Sequence, residues 1–314
     1  MILSCGDALI DFVPVRAADG REAIRPAVGG SCLNIAVGLA RLGVSAGFVG
    51  GISTDLFGRM IADHALASNV DLGHVTRSEH QTTLAFVRLV AGESQYAFYD
   101  VGTASANWTY RRGSISFDAV DAVHVGSTTL VHERGAAQAS ELIADAKPTT
   151  TISFDPNCRP NLVHDRHAYR ERMSEFIGNA DIVRMSDVDF DYLYGAEDLS
   201  ARAKSLLGQS PSLIVITRGT DGAFAWHGNA GAIEVGAPAV DVVDTIGAGD
   251  SFHAALLFAL HEQGRLERVK LRTIGAAELR RALSFACSCA AVTCTRAGAD
   301  PPRRVDVSAS ALTA

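Results

Sequence analysis

Short apolar runs alternate along this chain with longer segments of helical period, and that alternation restricts the fold more than any other feature. AGFVGGI (46–52), AVHVGS (122–127), TISFD (151–155), DIVRMS (181–186), LIVIT (213–217) and AVDVVD (239–244) read as strands. CLNIAVGLARLG sets Leu33, Ala36, Val37 and Ala40 on one face and ends at Gly43, a good helix stop. DLFGRMIADHALASN starts with Asp55 and stops near Asn69. Strands separated by helices pair in parallel, with helices on both faces of the sheet. The expectation is therefore an α/β fold around a mainly parallel, Rossmann-type sheet. The last long helix, ELRRALSFACSCAAVTC, is built of small residues and can lie close to that sheet. At 314 residues, such a fold runs as a single domain, 1–314.

Two segments break the pattern. ALIDFVPVRAADGREAIRPAVGG (8–30) is two extended arms around an Ala-Asp-Gly turn. TTLAFVRLVAGESQYAFYDVG (82–102) sets Leu84, Phe86 and Arg88 against Ala85, Val87 and Leu89, turns at AGES and returns through Tyr96 to Tyr99. Both read as β-hairpins. Paired into a small separate sheet, they form a lid of about residues 10–28 and 82–107 over a ligand cleft, excluding water. The alternative is decoration of one sheet edge.

Several function classes are excluded early. Net charge is −7 and no basic run stands out, so neither a nucleic-acid surface nor a polybasic membrane patch is expected. No apolar run is long enough to span a bilayer, and MILSCGDALIDF reads as a first strand rather than a signal peptide. The six cysteines (Cys5, Cys32, Cys158, Cys287, Cys289, Cys294) form no C-x-x-C pair, which fits reduced, packed thiols in the cytoplasm. HDRH (164–167) is an isolated histidine pair with no third ligand in view and reads as a solvated loop.

The chemistry concentrates in VVDTIGAGDSFHAALLFAL (242–260). An apolar run passes through Gly247-Ala248-Gly249 and places Asp250 at the start of an apolar helix. The first amides of a helix lack intrahelical partners, and the macrodipole puts partial positive charge there. Three nearly bare residues let an anion approach those amides, so the turn reads as an anion cradle. A carboxylate beside such a cradle needs a task, and accepting a proton from a hydroxyl that attacks a phosphoryl group is one. The competing reading is an N-capping Asp after an ordinary turn. Neither G-x-x-x-x-G-K-[ST] nor G-x-G-x-x-G is present, since residue 252 is Phe.

VVDTIGAGDSFHAALL resembles the second signature of the PfkB (ribokinase-like) carbohydrate kinases, and VGGSCLNIAVGLARLG (28–43) resembles their first. FVGGISTDLFG (48–58), ITRGTDGAFAW (216–226) and TCTRAGADPP (293–302) follow in the family's order. CGDALIDFVP and SFDPNCRPNL look most like bacterial fructokinases, with Asp7 where Glu is usual. The resemblance implies a ribokinase-like fold with Asp250 as general base and the amides of Gly247, Ala248 and Gly249 as the anion hole. It implies a sugar held by Asp11, Gly29, Gly30 and Asn34, whose amide suits a polyol. Arg88 and Phe98, on the second hairpin, are lid candidates for sugar contact. Asn157 and Arg159 follow TISFD at the strand end where open α/β sheets place ligands. Arg159 is expected near the transferring phosphate, with Asn157 on the sugar.

For the nucleotide, the resemblance implies Thr217, Gly219 and Gly222 beside ATP and Cys287 against the adenine. The N-x-x-E motif of many relatives is replaced by Ser186-Asp187-Val188-Asp189. Asp189 keeps the carboxylate for Mg2+, which bridges the phosphates. A monovalent cation such as K+ near Asp244, Ile246 and the TRAG loop is implied by resemblance alone.

The expected activity is ATP-dependent phosphorylation of a primary sugar hydroxyl, fructose to fructose 6-phosphate first. Ribose, 2-keto-3-deoxygluconate, a nucleoside or a sugar phosphate are alternatives on the same scaffold. A sugar phosphate would draw on Arg16, Arg21, Arg25 and Arg88. A non-catalytic sugar-binding protein would lack the base or cradle, and a dinucleotide oxidoreductase would carry G-x-G-x-x-G after the first strand. Lid sheets of this type can pair, so a homodimer through residues 82–99 is a further expectation.

Overall fold

The computed structural model describes residues 1–90 and 93–307, with the side chains of 87–90 and 93–96 left aside. In chain order the strands are β1 Ile2–Cys5, β2 Leu9–Arg16, β3 Glu22–Gly29, β4 Ala46–Ser53, β5 Asp71–Ser78, β6 Thr83–Val90 and β7 Glu93–Tyr99. They continue as β8 Ala122–Gly126, β9 Thr151–Asp155, β10 Ile182–Ser186, β11 Leu213–Thr217, β12 Ala223–His227 and β13 Gly231–Val235. The helices are α1 Ser31–Leu42, α2 Leu56–Ala67, α3 Glu133–Ala146, α4 Arg166–Asn179, α5 Asp187–Tyr194, α6 Leu199–Leu207, α7 Ala248–Glu262, α8 Arg268–Leu271 and α9 Ala276–Cys294.

Nine strands form one sheet in the order β13-β12-β11-β10-β9-β8-β1-β4-β5. Pairing is parallel from β11 through β5, and β12 and β13 add an antiparallel edge. Every residue of β1, β4, β8 and β9 is buried, as continuous apolar strands are when helices cover both faces. On one face α1, α7 and α9 supply residues such as Leu39, Phe258 and Phe285. On the other, α3 to α6 supply Leu142, Phe176, Leu193 and Leu206. Helix boundaries follow local chemistry: Asp55 caps α2 by accepting from Gly58 N (2.7 Å), and Gly43 closes α1 at φ 105°.

The two hairpins meet as expected. They form a separate four-stranded sheet, β3-β2-β6-β7, in which β2 runs parallel to β6 from Leu9↔Thr83 to Phe12↔Phe86. Phe12 stacks on Phe86 (4.6 Å between ring centroids) and meets Phe57 of α2 edge-on.

One expectation is corrected. Residues 239–244 are not a strand: the segment has no strand partner among the described residues, Val243 N donates to Cys294 O, and Val242 and Val243 are exposed. The small residues of α9 let it lie against α7 and against β13 of the sheet, as expected.

Candidate active site

Gly247 precedes α7 at φ 75°, a left-handed conformation that glycine adopts without strain. Asp250 lies in the first turn but caps nothing on its own helix. Its Oδ1 accepts from Ser31 Oγ at 2.6 Å and its Oδ2 from Asn34 Nδ2 at 2.8 Å, both on α1. The capping alternative is therefore replaced by a link between two helix N-termini. Burial pushes the Asp250 carboxyl above the usual carboxylate range, against the two hydrogen bonds that pull it down. One cradle amide is engaged: Ala248 N donates to Thr245 O at 3.3 Å.

Asp250 faces a cavity of ≈ 380 Å³ that also receives Asp11, Gly30, Asn34, Phe98, Asn157 and Arg159. Asp11 lies within β2, opposite Ala27 of β3 and Ala85 of β6. Its pKa is pushed up to about 7, chiefly by burial; Arg159 opposes the shift, while Asp7, Asp250 and Asp244 add to it. Gly29 does not line the cavity but makes room for this carboxylate, since a Cβ there would stand 2.1 Å from Asp11 Oδ2. Gly30, at φ 106°, would carry a Cβ 2.6 Å from the Asp7 carbonyl. Arg159 Nη1 donates to Asn157 O (3.1 Å), Asn157 Oδ1 (2.5 Å) and Cys158 O (3.0 Å). The side chain of Arg88 lies outside the described residues. Arg16, Arg21 and Arg25 are exposed, and Arg21 pairs with Asp19; none of the three lines the cavity.

A second cavity, ≈ 490 Å³, lies on the other side of the cradle and receives Ala248, Thr217, Gly219, Gly222 and Cys287. Val240 and Val242 of the 239–244 segment form part of its wall. Ser186 and Asp189 close a capping box on α5 (Asp189 N to Ser186 Oγ, 3.0 Å). Asp189 also accepts from Ser186 N (3.0 Å) and Cys158 N (2.7 Å), which fixes its carboxylate at the first cavity. Asp244 accepts from Ile246 N (3.0 Å) and Gly298 N (2.9 Å), tying the cradle loop to the TRAG loop. Ile246 reaches the first cavity; Asp244 lines neither.

Among the described residues no three His, Cys, Asp or Glu side chains gather as a metal cage. A magnesium ion carried on a nucleotide needs few protein ligands and keeps several waters. Asp189 fits that requirement: its donors hold the carboxylate in place, and Oδ1, which among the described residues accepts only from Cys158 N, has a lone pair left for a metal-bound water. No described helix is long and apolar enough to cross a membrane.

Sequence reasoning missed Ser31, Asp7 and Arg184. Asp7 accepts from Cys32 N (3.0 Å), Ser127 Oγ (2.9 Å) and Thr128 Oγ1 (3.2 Å) at the floor of the first cavity. Arg184 interrupts the apolar strand IVRMS, a charge in a buried run that could have flagged it.

Comparison with known proteins identifies the family. The sequence profile described as pfkB family carbohydrate kinase matches residues 1–305. A fructokinase of Rhizobium leguminosarum bv. trifolii is 34% identical over 280 residues, 89% of this chain and 86% of that protein. The crystal structure of a Xylella fastidiosa fructokinase with bound ATP superposes with a TM-score of 0.87 at 28% identity, covering 95% of this chain and 93% of the other. A Vibrio cholerae fructokinase bound to fructose, ADP and calcium gives 0.79 at 26%, over 95% and 94% of the two chains. On the profile match over residues 1–305 and the Rhizobium relative, the chain belongs to the pfkB family of carbohydrate kinases.

Proposed function

We propose that this chain is a fructokinase that uses ATP and magnesium to convert fructose to fructose 6-phosphate. The observation that carries the reading is the position of Asp250, which faces a polar cavity on one side and stands in the glycine turn of α7 on the other. The first cavity sets four carboxylates (Asp7, Asp11, Asp189, Asp250) against the guanidinium groups of Arg159 and Arg184. That balance favours a neutral sugar over a sugar phosphate. The fructokinase relatives, one with fructose bound and one with ATP, support the choice of substrates.

In this reading Asp11, Asn34 and Asn157 hold the sugar hydroxyls and Phe98 packs on its apolar face. Asp250 takes the proton of the C6 hydroxyl as that oxygen attacks the γ-phosphorus. The new O–P bond forms while the bond from phosphorus to the β,γ-bridging oxygen breaks, and that oxygen leaves with the electron pair on ADP. The raised pKa of Asp250 makes it a stronger base than an exposed carboxylate. The amides of the Gly247–Gly249 turn, with Arg159, stabilise charge on the phosphoryl oxygens. Thr217, Gly219, Gly222 and Cys287 seat the nucleotide. Asp189 and Ser186 would order the water shell of a magnesium ion carried on the nucleotide, which would supply positive charge to offset that of the phosphates; a monovalent ion near Asp244 and Ile246 would be held by backbone carbonyls.

The second sheet acts as a lid, because Leu9, Asp11 and Phe98 reach the cavity from it. Its exposed Ile24 and Tyr99, with Val101 beyond, support pairing of two lids in a homodimer. Light scattering tests this, and a strict monomer at micromolar concentration would contradict it. The activity is tested by ADP release with ATP and magnesium over fructose, ribose, 2-keto-3-deoxygluconate, adenosine and fructose 6-phosphate. Fructose should give the highest kcat/KM; a higher value on another acceptor would replace fructose and keep the class.

A further inference from the structure

Arg184 occupies the third position of β10, between buried Val183 and Met185, and its own side chain is 7% exposed. Its Nη1 donates to Asp155 Oδ2 at 2.7 Å, at the end of β9. Its Nη2 donates to Thr217 Oγ1 at 2.5 Å, at the end of β11. Both anchors sit at the C-terminal edge of the sheet, so the guanidinium is stretched along that edge. Nε is buried and has no partner among the described residues.

An ion pair at this depth is poor evidence of a stabilising role. Desolvation offsets much of the attraction, and well-packed apolar residues of similar volume often do as well or better. The location is more informative. Arg184, Ser186, Val188, Thr245 and Gly249 line both cavities, and Arg184 is the charged member of that set. A Cβ built on Gly249 would stand 2.9 Å from Arg184 Nη2 and 3.0 Å from Nη1. The second glycine of the turn is thus bare for two reasons: it exposes the amide, and it admits the guanidinium. Asp250 is the next residue.

We infer that Arg184 is a catalytic residue: its guanidinium, lying where the two cavities meet over Gly249, contacts the terminal phosphate of the nucleotide and the phosphoryl group as it crosses. The inference rests on the kinase reading above. Arg184 neither gains nor loses a proton in the step. The bond formed is sugar oxygen to phosphorus, the bond broken is phosphorus to the bridging oxygen, and the hydroxyl proton goes to Asp250. The guanidinium contributes fixed N–H donors aimed at equatorial phosphoryl oxygens, whose charge must be met without reorganisation. Asp155 fixes the arginine and is itself anchored to α7: His253 Nδ1 lies 3.4 Å from Asp155 Oδ2, and His253 Nε2 lies 2.6 Å from Ser153 Oγ. The cation is therefore built into the same unit as the cradle.

The test uses the full chain with Arg184→Lys, Arg184→Met and the paired Asp155→Asn/Arg184→Met, which leaves no buried charge unpartnered if the single variant fails to fold. Calorimetry measures ADP and the non-hydrolysable AMP-PNP, each with magnesium. Each folded Met variant should lose about tenfold or more in affinity for AMP-PNP and change little for ADP; a contact with the terminal phosphate alone has that signature. With fructose, kcat should fall about 100- to 1,000-fold, as for loss of one oxyanion donor, with little change in fructose KM and partial recovery in the Lys variant. Equal losses for both nucleotides, or a folded Met variant with kcat near wild type, would overturn the inference. A wild type that phosphorylates no sugar would instead sink the kinase reading, and the nucleotide comparison would still decide whether Arg184 meets the terminal phosphate.

Discussion

The two cavities that flank the glycine turn are built differently. The first is lined by side chains that carry charge or amides, drawn from both sheets and several loops: Asp11 from β2, Asn34 from α1, Arg159 after β9, Asp250 from α7. The second is lined mostly by small and apolar residues such as Gly219, Gly222, Ala290 and Ala291, with valines from the 239–244 segment. A polyol offers many hydroxyls in fixed directions and is recognised by convergent donors and acceptors. A planar base is recognised by flat apolar surface and close backbone approach. With sugar in the first cavity and nucleotide in the second, as proposed, the contrast would leave sugar specificity to few replaceable side chains and spread nucleotide binding over shape.

That contrast can be broken or sharpened by substitution. The largest effect is expected at the junction. Gly249→Ala puts a Cβ against the Arg184 guanidinium and beside the cradle amides, and should lower kcat about 100- to 1,000-fold; a rate within a few-fold of wild type would remove the cradle from the account. Next, at pH 8, where the Asp11 carboxyl is ionised, Asp11→Asn should raise the fructose KM about 10- to 100-fold, the weight of a charge-assisted hydrogen bond, while the ATP KM stays put. Steady-state kinetics in both substrates checks the asymmetry, and equal changes in the two constants would erase it. The converse variant, Cys287→Phe, fills the wall of the second cavity and should raise the ATP KM about tenfold, or about 1.4 kcal/mol, with the fructose KM unchanged.

The smallest effect is on stability. Asp11 keeps its proton in the folded chain up to about 7, whereas the unfolded chain releases it near 3.8. The folded state therefore binds more protons through that window, and stability falls as pH rises across it. Asp11→Asn removes this cost, so its gain in Tm over wild type should be larger at pH 8 than at pH 5 by thermal denaturation. A gain independent of pH would mean that the carboxylate is not held protonated.

What is legible in the sequence follows the same divide. Asp250 and the turn before it can be read because near-bare residues opening an apolar helix, in a stretch that resembles a kinase signature, point to an anion site, and Asp11 because a carboxylate in an apolar run needs partners. The lid can be read from two hairpins that break the alternation, and the parallel pairing of β2 with β6 joins them as expected. The segment 239–244 misleads because alternating valines look alike whether they pair in a sheet or wall a cavity; only the absence of a neighbouring strand separates the two. Arg184 escapes notice because its meaning depends on Asp155, Thr217 and Gly249, residues remote in sequence that the sheet edge brings together. Ser31 is likewise hidden, since its bond to Asp250 spans 219 residues.

The central claim is that Asp250, which lines the first cavity beside the glycine turn that borders both, is the general base, and Asp250→Asn tests it most directly. Asn keeps the size of the side chain and can still bond Asn34 if that amide turns. Fructose and AMP-PNP affinities measured by calorimetry should stay within a few-fold of wild type, while the rate of fructose phosphorylation falls by about 10²- to 10⁴-fold, the span of general-base catalysis. A variant that binds both ligands and turns over near the wild-type rate would contradict the account.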